Sequence, residues 1–218
     1  MRIHFKISAS SQKVPFNYQE LLTGVIHKWL GQNLEHGQVS LYSFSWLKNG
    51  RRHENGLKFE NGTSFYFSSH NRDLVKRLVQ GVFDSPELFH GLKVQEAIIQ
   101  EDPDFKDREL FYAASPVFIK RKNGDKTDHI LFDDPRANNF LKETLLTKLE
   151  QAGIENEGFE IMFDAGYRKA ASKKITYKGI ENRASICPVI IKGSNTLKQF
   201  AWNVGLGNST GIGFGAIE

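Results

Sequence analysis

Residues 2–8 read Arg2-Ile3-His4-Phe5-Lys6-Ile7-Ser8. Ile3, Phe5 and Ile7 alternate with Arg2, His4 and Lys6, and a period of two over this length describes a half-buried strand with one apolar face. Downstream of Pro15, residues 18–30 place Leu21, Leu22, Val25, Ile26, Trp29 and Leu30 along one side of a helix that Gly31 stops. Strand character returns over residues 39–47. Leu57-Lys58-Phe59-Glu60 and Thr63-Ser64-Phe65-Tyr66-Phe67 then flank Asn61-Gly62, a dipeptide suited to a two-residue hairpin turn. Asn71 opens a helix carrying Leu74, Leu78 and Val82, and residues 92–100 resume strand character. The resulting order, β-α-β-β-α-β, is that of a four-stranded antiparallel sheet with its helices on one face.

Residues 101–107, Glu101-Asp102-Pro103-Asp104-Phe105-Lys106-Asp107, are acidic and interrupted by proline, the composition of an exposed linker. The boundary is set there, dividing the chain into domains 1–106 and 107–218. In the second, Val117-Phe118-Ile119 and Ile130-Leu131-Phe132 flank a long hairpin around Asn123-Gly124. Asp134-Pro135 begins a helix in which Phe140, Leu141, Leu145 and Leu149 share a face, and Gly153 ends it. Strands are expected over residues 159–163, 174–177 and 184–191, and Ser194 caps a last short helix through Leu197, Phe200, Ala201 and Val204. The fold class is α+β, two four-stranded sheets in tandem without sequence repetition.

The 218 residues, 39% hydrophobic and 25% charged, lie in the range of folded globular chains. No apolar run approaches the roughly 20 residues of a membrane helix, and the N-terminus enters a strand pattern without a signal-peptide core, so neither secretion nor membrane insertion is expected. Cys187 is the single cysteine, which excludes an internal disulfide and any multi-cysteine metal site and fits a reducing cytoplasm. The net charge of +4 is unevenly spread. Between residues 165 and 198, Arg168, Lys169, Lys173, Lys174, Lys178, Arg183, Lys192 and Lys198 face one acid, Glu181. Such a stretch suits a polyanionic partner, or else a solvated basic face on an ordinary sheet.

The last 14 residues, Gly205-Leu206-Gly207-Asn208-Ser209-Thr210-Gly211-Ile212-Gly213-Phe214-Gly215-Ala216-Ile217-Glu218, hold five glycines. Glycine lets a backbone approach a ligand closely, and clustered N–H groups bond phosphate oxygens. A dinucleotide or P-loop reading does not fit, because such a loop runs from a strand into a helix and this one follows a helix. The other reading is a tight glycine-rich turn before a terminal strand.

A Gly-Leu-Gly pair, a short polar spacer and then Gly211-Ile212-Gly213-Phe214-Gly215 resemble the C-terminal signature of the RAMP superfamily of CRISPR-associated RNA-binding proteins. Val14-Pro15-Phe16-Asn17-Tyr18, Leu41-Tyr42-Ser43-Phe44-Ser45 and Ser115-Pro116-Val117 extend the resemblance over nearly the whole chain, to the repeat-specific endoribonuclease branch that cuts precursor CRISPR RNA. The resemblance implies two ferredoxin-like (RRM-like) folds in tandem and a metal-independent cleavage through the RNA's own 2′-hydroxyl. The products it implies carry a 2′,3′-cyclic phosphate and a 5′-hydroxyl.

Such a reaction needs a base for the 2′-hydroxyl proton, an acid for the 5′ leaving oxygen and donors for the phosphorane charge. Of seven histidines, His36 lies in a polar stretch between the first helix and the next strand, where the resemblance implies a catalytic histidine. His27 is the second candidate. At about 100° per residue it points away from the apolar face of the first helix, near Glu20 and Thr23, and the resemblance implies a tyrosine or histidine there that orients the nucleotide or transfers the second proton. Some relatives carry a lysine where Ser40 stands, so the phosphate-stabilising cation is sought in a pool of Lys48, Arg51, Arg52, Lys173 and Lys174.

RNA contacts are expected from the basic hairpin tip Lys120-Arg121-Lys122, from Lys169, Lys173 and Lys174, and from Gly207, Ser209, Gly211, Gly213 and Gly215. Solvated hairpin ends also carry lysine to discourage edge pairing. Asp102-Pro103-Asp104 and Asp133-Asp134 read as a linker and a helix cap rather than a magnesium site, and neither metal nor cofactor is expected. Tyr42, Phe44 and Trp46 serve as a base-stacking platform only if their sheet face is open. The expected partner is CRISPR repeat RNA, with effector-complex proteins as further candidates, no membrane, and a monomer or homodimer as the assembly. The competing reading is a non-cutting RNA-binding subunit of a CRISPR effector complex.

Overall fold

The computed structural model of the chain describes residues 1–31, 39–155 and 158–218. The first half runs β1 (Arg2–Ile7), β2 (Val14–Pro15), α1 (Gln19–Leu30), β3 (Tyr42–Phe44), β4 (Arg51–His53), β5 (Gly56–Lys58), β6 (Thr63–Ser69), α2 (Arg72–Asp84) and β7 (Val94–Gln100). Four of these strands form an antiparallel sheet in the order β3-β6-β1-β7, with Phe5 of β1 opposite Phe65 on one side and Ala97 on the other. The alternation in β1 puts Ile3, Phe5 and Ile7 against α1 and α2, in a core with Leu22, Ile26, Trp29, Leu74 and Leu78. Each such side chain, fully buried, contributes about 2 kcal/mol. Asn71 caps α2 by accepting from the Asp73 amide at 2.9 Å. The two helices approach so closely that a Cβ on Gly81 of α2 would run into the Trp29 backbone of α1.

The second half continues with β8 (Leu110–Phe111), β9 (Ile119–Asn123), β10 (Lys126–Ile130), α3 (Ala137–Ala152), β11 (Glu160–Phe163), β12 (Ala171–Tyr177), β13 (Ile180–Ile186), β14 (Val189–Lys192) and α4 (Asn195–Val204). Its sheet runs β11-β14-β8, and residues 216–218 extend it beyond β8 through a pair of bonds between Tyr112 and Glu218 and a single bond from Ala114 N–H to the Ala216 carbonyl, all 2.8 Å. The strand order thereby repeats that of the first half, so the chain is a tandem of two ferredoxin-like α+β units. Leu141, Leu145 and Leu149 of α3 and Phe200 and Val204 of α4 close a second core with Phe111, Val189 and Ile191. Two hairpins, β9–β10 and β12–β13, stand outside this sheet. No helix among the described residues is long and apolar enough to cross a membrane.

Several expectations are corrected. Asn61-Gly62 makes a turn, Gly62 N–H to Phe59 O at 3.1 Å, but the strands on either side do not pair: β5 belongs to a small sheet with β2 and β4, and β6 lies between β1 and β3. The strand expected over residues 184–191 is two, divided at Cys187-Pro188, where proline offers no N–H to a ladder. Residues 174–177 belong to the β12–β13 hairpin, not to the sheet. The stretch at 101–107 is not an exposed linker. Phe105 is buried against Phe111 and Trp202, Lys198 donates to the carbonyls of Phe105 and Lys106 at 3.1 Å, and Asp102 binds the N-terminal ammonium at 2.6 Å.

Arg2 departs furthest from the simple alternation, being only 2% exposed. Its guanidinium is stacked between Tyr66 and Trp202, 3.6 and 3.4 Å from their ring centroids, and donates to the carbonyls of Trp202 at 2.9 Å and Ile217 at 2.8 Å. At Arg2 the polar face of β1 is therefore an inner face, because the end of α4 and residues 216–218 of the other half lie over it, whereas Lys6 stays exposed.

Candidate functional site

Gln19, Thr23 and His27 are four residues apart and form one stripe along α1. His27 was expected to point away from the core, beside Glu20 and Thr23. The short 3₁₀ turn Thr210–Ile212 of the glycine-rich segment packs across that stripe, leaving Gln19 and Thr23 buried and His27 half-buried. Gln19 Nε2 donates to the Ile212 carbonyl at 2.6 Å. His27 Nε2 lies 3.3 Å from the Gly211 carbonyl and 3.3 Å from the Tyr42 hydroxyl, which itself reaches the Gly211 carbonyl at 3.4 Å. A protonated Nε2 donates to Gly211, and an unprotonated Nε2 accepts from Tyr42. The imidazole is thus held in both protonation states, as a group that passes a proton requires. The β12–β13 hairpin closes the other side: Lys178 N–H donates to Glu20 Oε2 at 3.2 Å, and Tyr177, whose phenol pKa burial pushes up, is hydrogen-bonded to Thr23. His36 lies outside the described residues.

The glycines of the terminal segment have internal reasons to be glycine. A Cβ on Gly207 would meet the Phe118 carbonyl, on Gly211 the Ser40 hydroxyl, on Gly213 the Phe44 ring at 2.9 Å and on Gly215 the Leu206 backbone. All four are buried, so the space that glycine leaves is taken by this chain's own atoms; Asn208, Ser209 and Ile212 between them are half-buried. Ser209 adopts a left-handed backbone, φ 61°.

The basic candidates fall into two groups. Lys120, Arg121, Gly207 and Ser209 share a cavity of about 520 Å³ with Lys148 and Thr210. Within it Arg121 is already engaged, donating to Glu143 Oε2 at 2.9 Å and lying 4.4 Å from the Phe140 ring centroid. Lys173 and Lys174 instead line a cleft of about 600 Å³ with Trp46 and Arg52. Lys174 pairs with Glu181 at 2.7 Å. Lys173 places its ammonium 4.4 Å from the Trp46 ring centroid, and the loss of water there lowers its pKa. Lys48 pairs with Glu218, and Arg51 lies 4.0 Å from Glu60. Lys122 and Lys169 are exposed and line neither cavity. Tyr42 and Phe44 are core residues at 4% and 0% exposure, so no stacking platform opens on β3.

Lys148 was not foreseen. It sits on the apolar stripe of α3 beside Leu141 and Leu145, 2% exposed, and donates to the carbonyls of Val204 at 3.2 Å and Gly205 at 2.9 Å and to Thr210 Oγ1 at 3.4 Å. It thereby ties the C-terminus of α4 to the 3₁₀ turn, a favourable place for a cation. Burial lowers its pKa to about 7. A lysine at the helical spacing of buried leucines was the signal in the sequence. Tyr42 had no such signal, because its bond to His27 depends on how β3 meets α1. Among the described residues, no group of three or more His, Cys, Asp or Glu side chains is arranged to hold a metal ion.

A family model for the C-terminal part of the CRISPR-associated protein Cas6 matches residues 100–218. A putative CRISPR-associated endoribonuclease-like protein Cas6 of Pyrococcus furiosus is 26% identical, the alignment covering 100% of this chain and 98% of that protein. A CRISPR-associated endoribonuclease Cas6 of the same organism is 23% identical over 94% of this chain and 83% of its own length. The solved structure of a Cas6-related gene product from Pyrococcus furiosus superposes with a TM-score of 0.86 at 24% identity, over 100% of this chain and 97% of that one, which carries the fold.

Proposed function

The chain belongs to the Cas6 family of CRISPR-associated proteins, and on that premise we propose that it binds CRISPR repeat RNA and cuts the precursor within the repeat. The observation that supports this reading best is the junction of His27, Tyr42 and the Gly211 carbonyl, where an imidazole held in either protonation state meets the glycine-rich segment. In the proposed reaction the 2′-hydroxyl oxygen attacks the adjacent phosphorus as a base removes its proton. The bond to the 5′ oxygen breaks as an acid delivers a proton to it, leaving a 2′,3′-cyclic phosphate and a 5′-hydroxyl. His36 and His27 divide these two roles, and cationic side chains meet the charge on the phosphorane. Written this way, the reaction calls on no metal. The RNA is held by Lys120, Arg121, Lys122, Lys169, Lys173 and Lys174 and by Ser209 of the glycine-rich segment, whose buried glycines give that segment its shape.

The test is labelled repeat RNA incubated with the protein in EDTA, followed by end-group analysis. Cleavage is expected to persist, to leave a cyclic phosphate, and to be blocked by a 2′-deoxy nucleotide at the cut. His36→Ala is expected to slow single-turnover cleavage by roughly 10²- to 10⁴-fold, with affinity within a few-fold, and His27→Ala to slow it less. Strict magnesium dependence of the chemical step or a 3′-hydroxyl product overturns the mechanism. A second reading is drawn from the name of the first relative, which is endoribonuclease-like: tight binding without any cut would assign this chain to a non-catalytic RNA-binding role in a CRISPR effector complex.

A further inference from the structure

The cleft of about 600 Å³ beside Trp46 opens at the other end of α1 from His27. Three features set it apart. Phe16, on its wall, is 49% exposed, a large apolar ring left in water with the Arg52 guanidinium 5.4 Å from its centroid. Lys173 and Arg52 both line it, and among the described residues neither pairs with a carboxylate. The third is its link to the proton-transfer site. Three consecutive carbonyls of the glycine-rich segment are each gripped by a side chain: Gly211 by His27 and Tyr42, Ile212 by Gln19 at 2.6 Å, and Gly213 by Trp46 Nε1 at 2.8 Å. Gln19 and Trp46 line the cleft.

We propose that this cleft seats one unpaired nucleotide of the RNA, its base against Phe16 and Arg52 and its phosphate at Lys173, and that this nucleotide sets which bond reaches His27. The inference rests on the reading of the protein as an RNA-processing enzyme. A lone anion has no use for an exposed phenyl ring, and an apolar ligand none for two unneutralised cations; a nucleotide uses both. The cleft also lies within the volume range of small-ligand sites. Gln19 and His27 are eight residues apart on one helix, about 12 Å along its axis, and both grip the same 3₁₀ turn. A base fixed at one end of that turn therefore fixes the distance from its own phosphate to the reacting one.

The experiment uses the full chain and repeat RNAs carrying one abasic nucleotide at each position near the cut, reading affinity, cut position and salt dependence. For the wild type, one position is expected at which loss of the base weakens binding by roughly 5- to 150-fold, the range of base–aromatic stacking. Phe16→Ala is expected to weaken intact RNA by a similar factor, to become insensitive to the abasic site at that position alone, and to cut at neighbouring bonds as well. Because Phe16 is exposed, this variant keeps its fold, which its thermal midpoint checks. Lys173→Gln is expected to lower the slope of log K against log salt by about 0.7. If every abasic position costs Phe16→Ala as much as it costs the wild type, or no position matters in the wild type, the cleft is not a nucleotide seat, though cleavage stands. If the wild type binds no repeat RNA, the functional reading falls first and takes the cleft with it.

Discussion

The fourth strand of the first sheet is β7, seven residues long, lying at the edge with Ile98 and Ile99 exposed to solvent. In the second sheet the same place is held by residues 216–218, of which Ala216 and Ile217 are fully buried. The first half spends its last strand on its own sheet. The second brings its last strand in from a glycine-rich segment that first crosses α1, and that strand supplies the Ile217 carbonyl to which Arg2 of the first half donates. One strand order thus does two things: the first half supplies a helix stripe with His27, and the second supplies the segment that covers it. The proposed site exists only where they meet.

The largest effect that would break this comparison is at Gly215. Its backbone has φ +68° and a Cβ there would strike the Leu206 backbone. Gly215→Val is expected to cost at least about 4 kcal/mol in urea unfolding and to strip the second half of its last strand. Gly124, at the β9–β10 turn, also has a positive φ, +60°, but faces open space, so Gly124→Ala is expected to cost only about 1 kcal/mol. Equal losses at the two positions would mean that the terminal segment contributes no packing of its own.

Next is Arg2, which holds the halves together. Burial lowers its pKa to about 10, so it stays protonated near neutrality. Arg2→Met keeps the stem but leaves the Trp202 carbonyl without its donor, and a loss of about 3 kcal/mol is expected. Separate unfolding transitions for the two halves are expected with it. Arg2→Lys should not rescue, because an ammonium cannot stack as a plane between Tyr66 and Trp202. A single transition at the wild-type midpoint would show that the halves are joined elsewhere.

The last test is read against pH and sharpens the role of Lys148. Its ordinary pKa is 10.5 and burial brings it to about 7, so between those values the unfolded chain binds a proton that the folded chain has released. Stability gains a contribution as pH rises from 7 towards 10, and the penalty is complete below 7. Lys120, Arg121 and Glu143 line the same cavity, so the slope is read as a difference from Lys148→Met, which has lost the titrating group. The wild-type thermal midpoint is expected to rise steadily relative to that of the variant across that window. Parallel pH profiles would mean that the three acceptors on Lys148 offset its loss of water and keep its pKa ordinary.

What the sequence revealed was mainly what neighbours along the chain decide. The apolar faces of α1 and α3, apart from Leu21, which is exposed, the Ser194 cap, which accepts from Leu197 N–H at 3.3 Å, and the Asn123-Gly124 hairpin are local patterns, and all are present. Asn61-Gly62 was read correctly as a turn and wrongly as a hairpin, because the choice of partner for β6 is made by burial between β1 and β3, which no local signal encodes. The polar side of β1 looked solvated for the same reason, since what covers Arg2 is some 200 residues away. His27 was legible as pointing away from the first core. That it would point at Gly211, 184 residues on, was not.

The clamp at Arg2 also has a consequence for the order of folding. Its two carbonyl partners are 200 and 215 positions distant, and closing a loop of that length is slow and yields nothing until both sheets have their strands in place. The guanidinium therefore docks late, after each half has collapsed, and a refolding trace followed by Trp202 fluorescence should lag behind one followed by backbone dichroism. Until that step completes, Gly211 has no fixed position above α1, and the chain is folded in its parts before the pieces of its site have met.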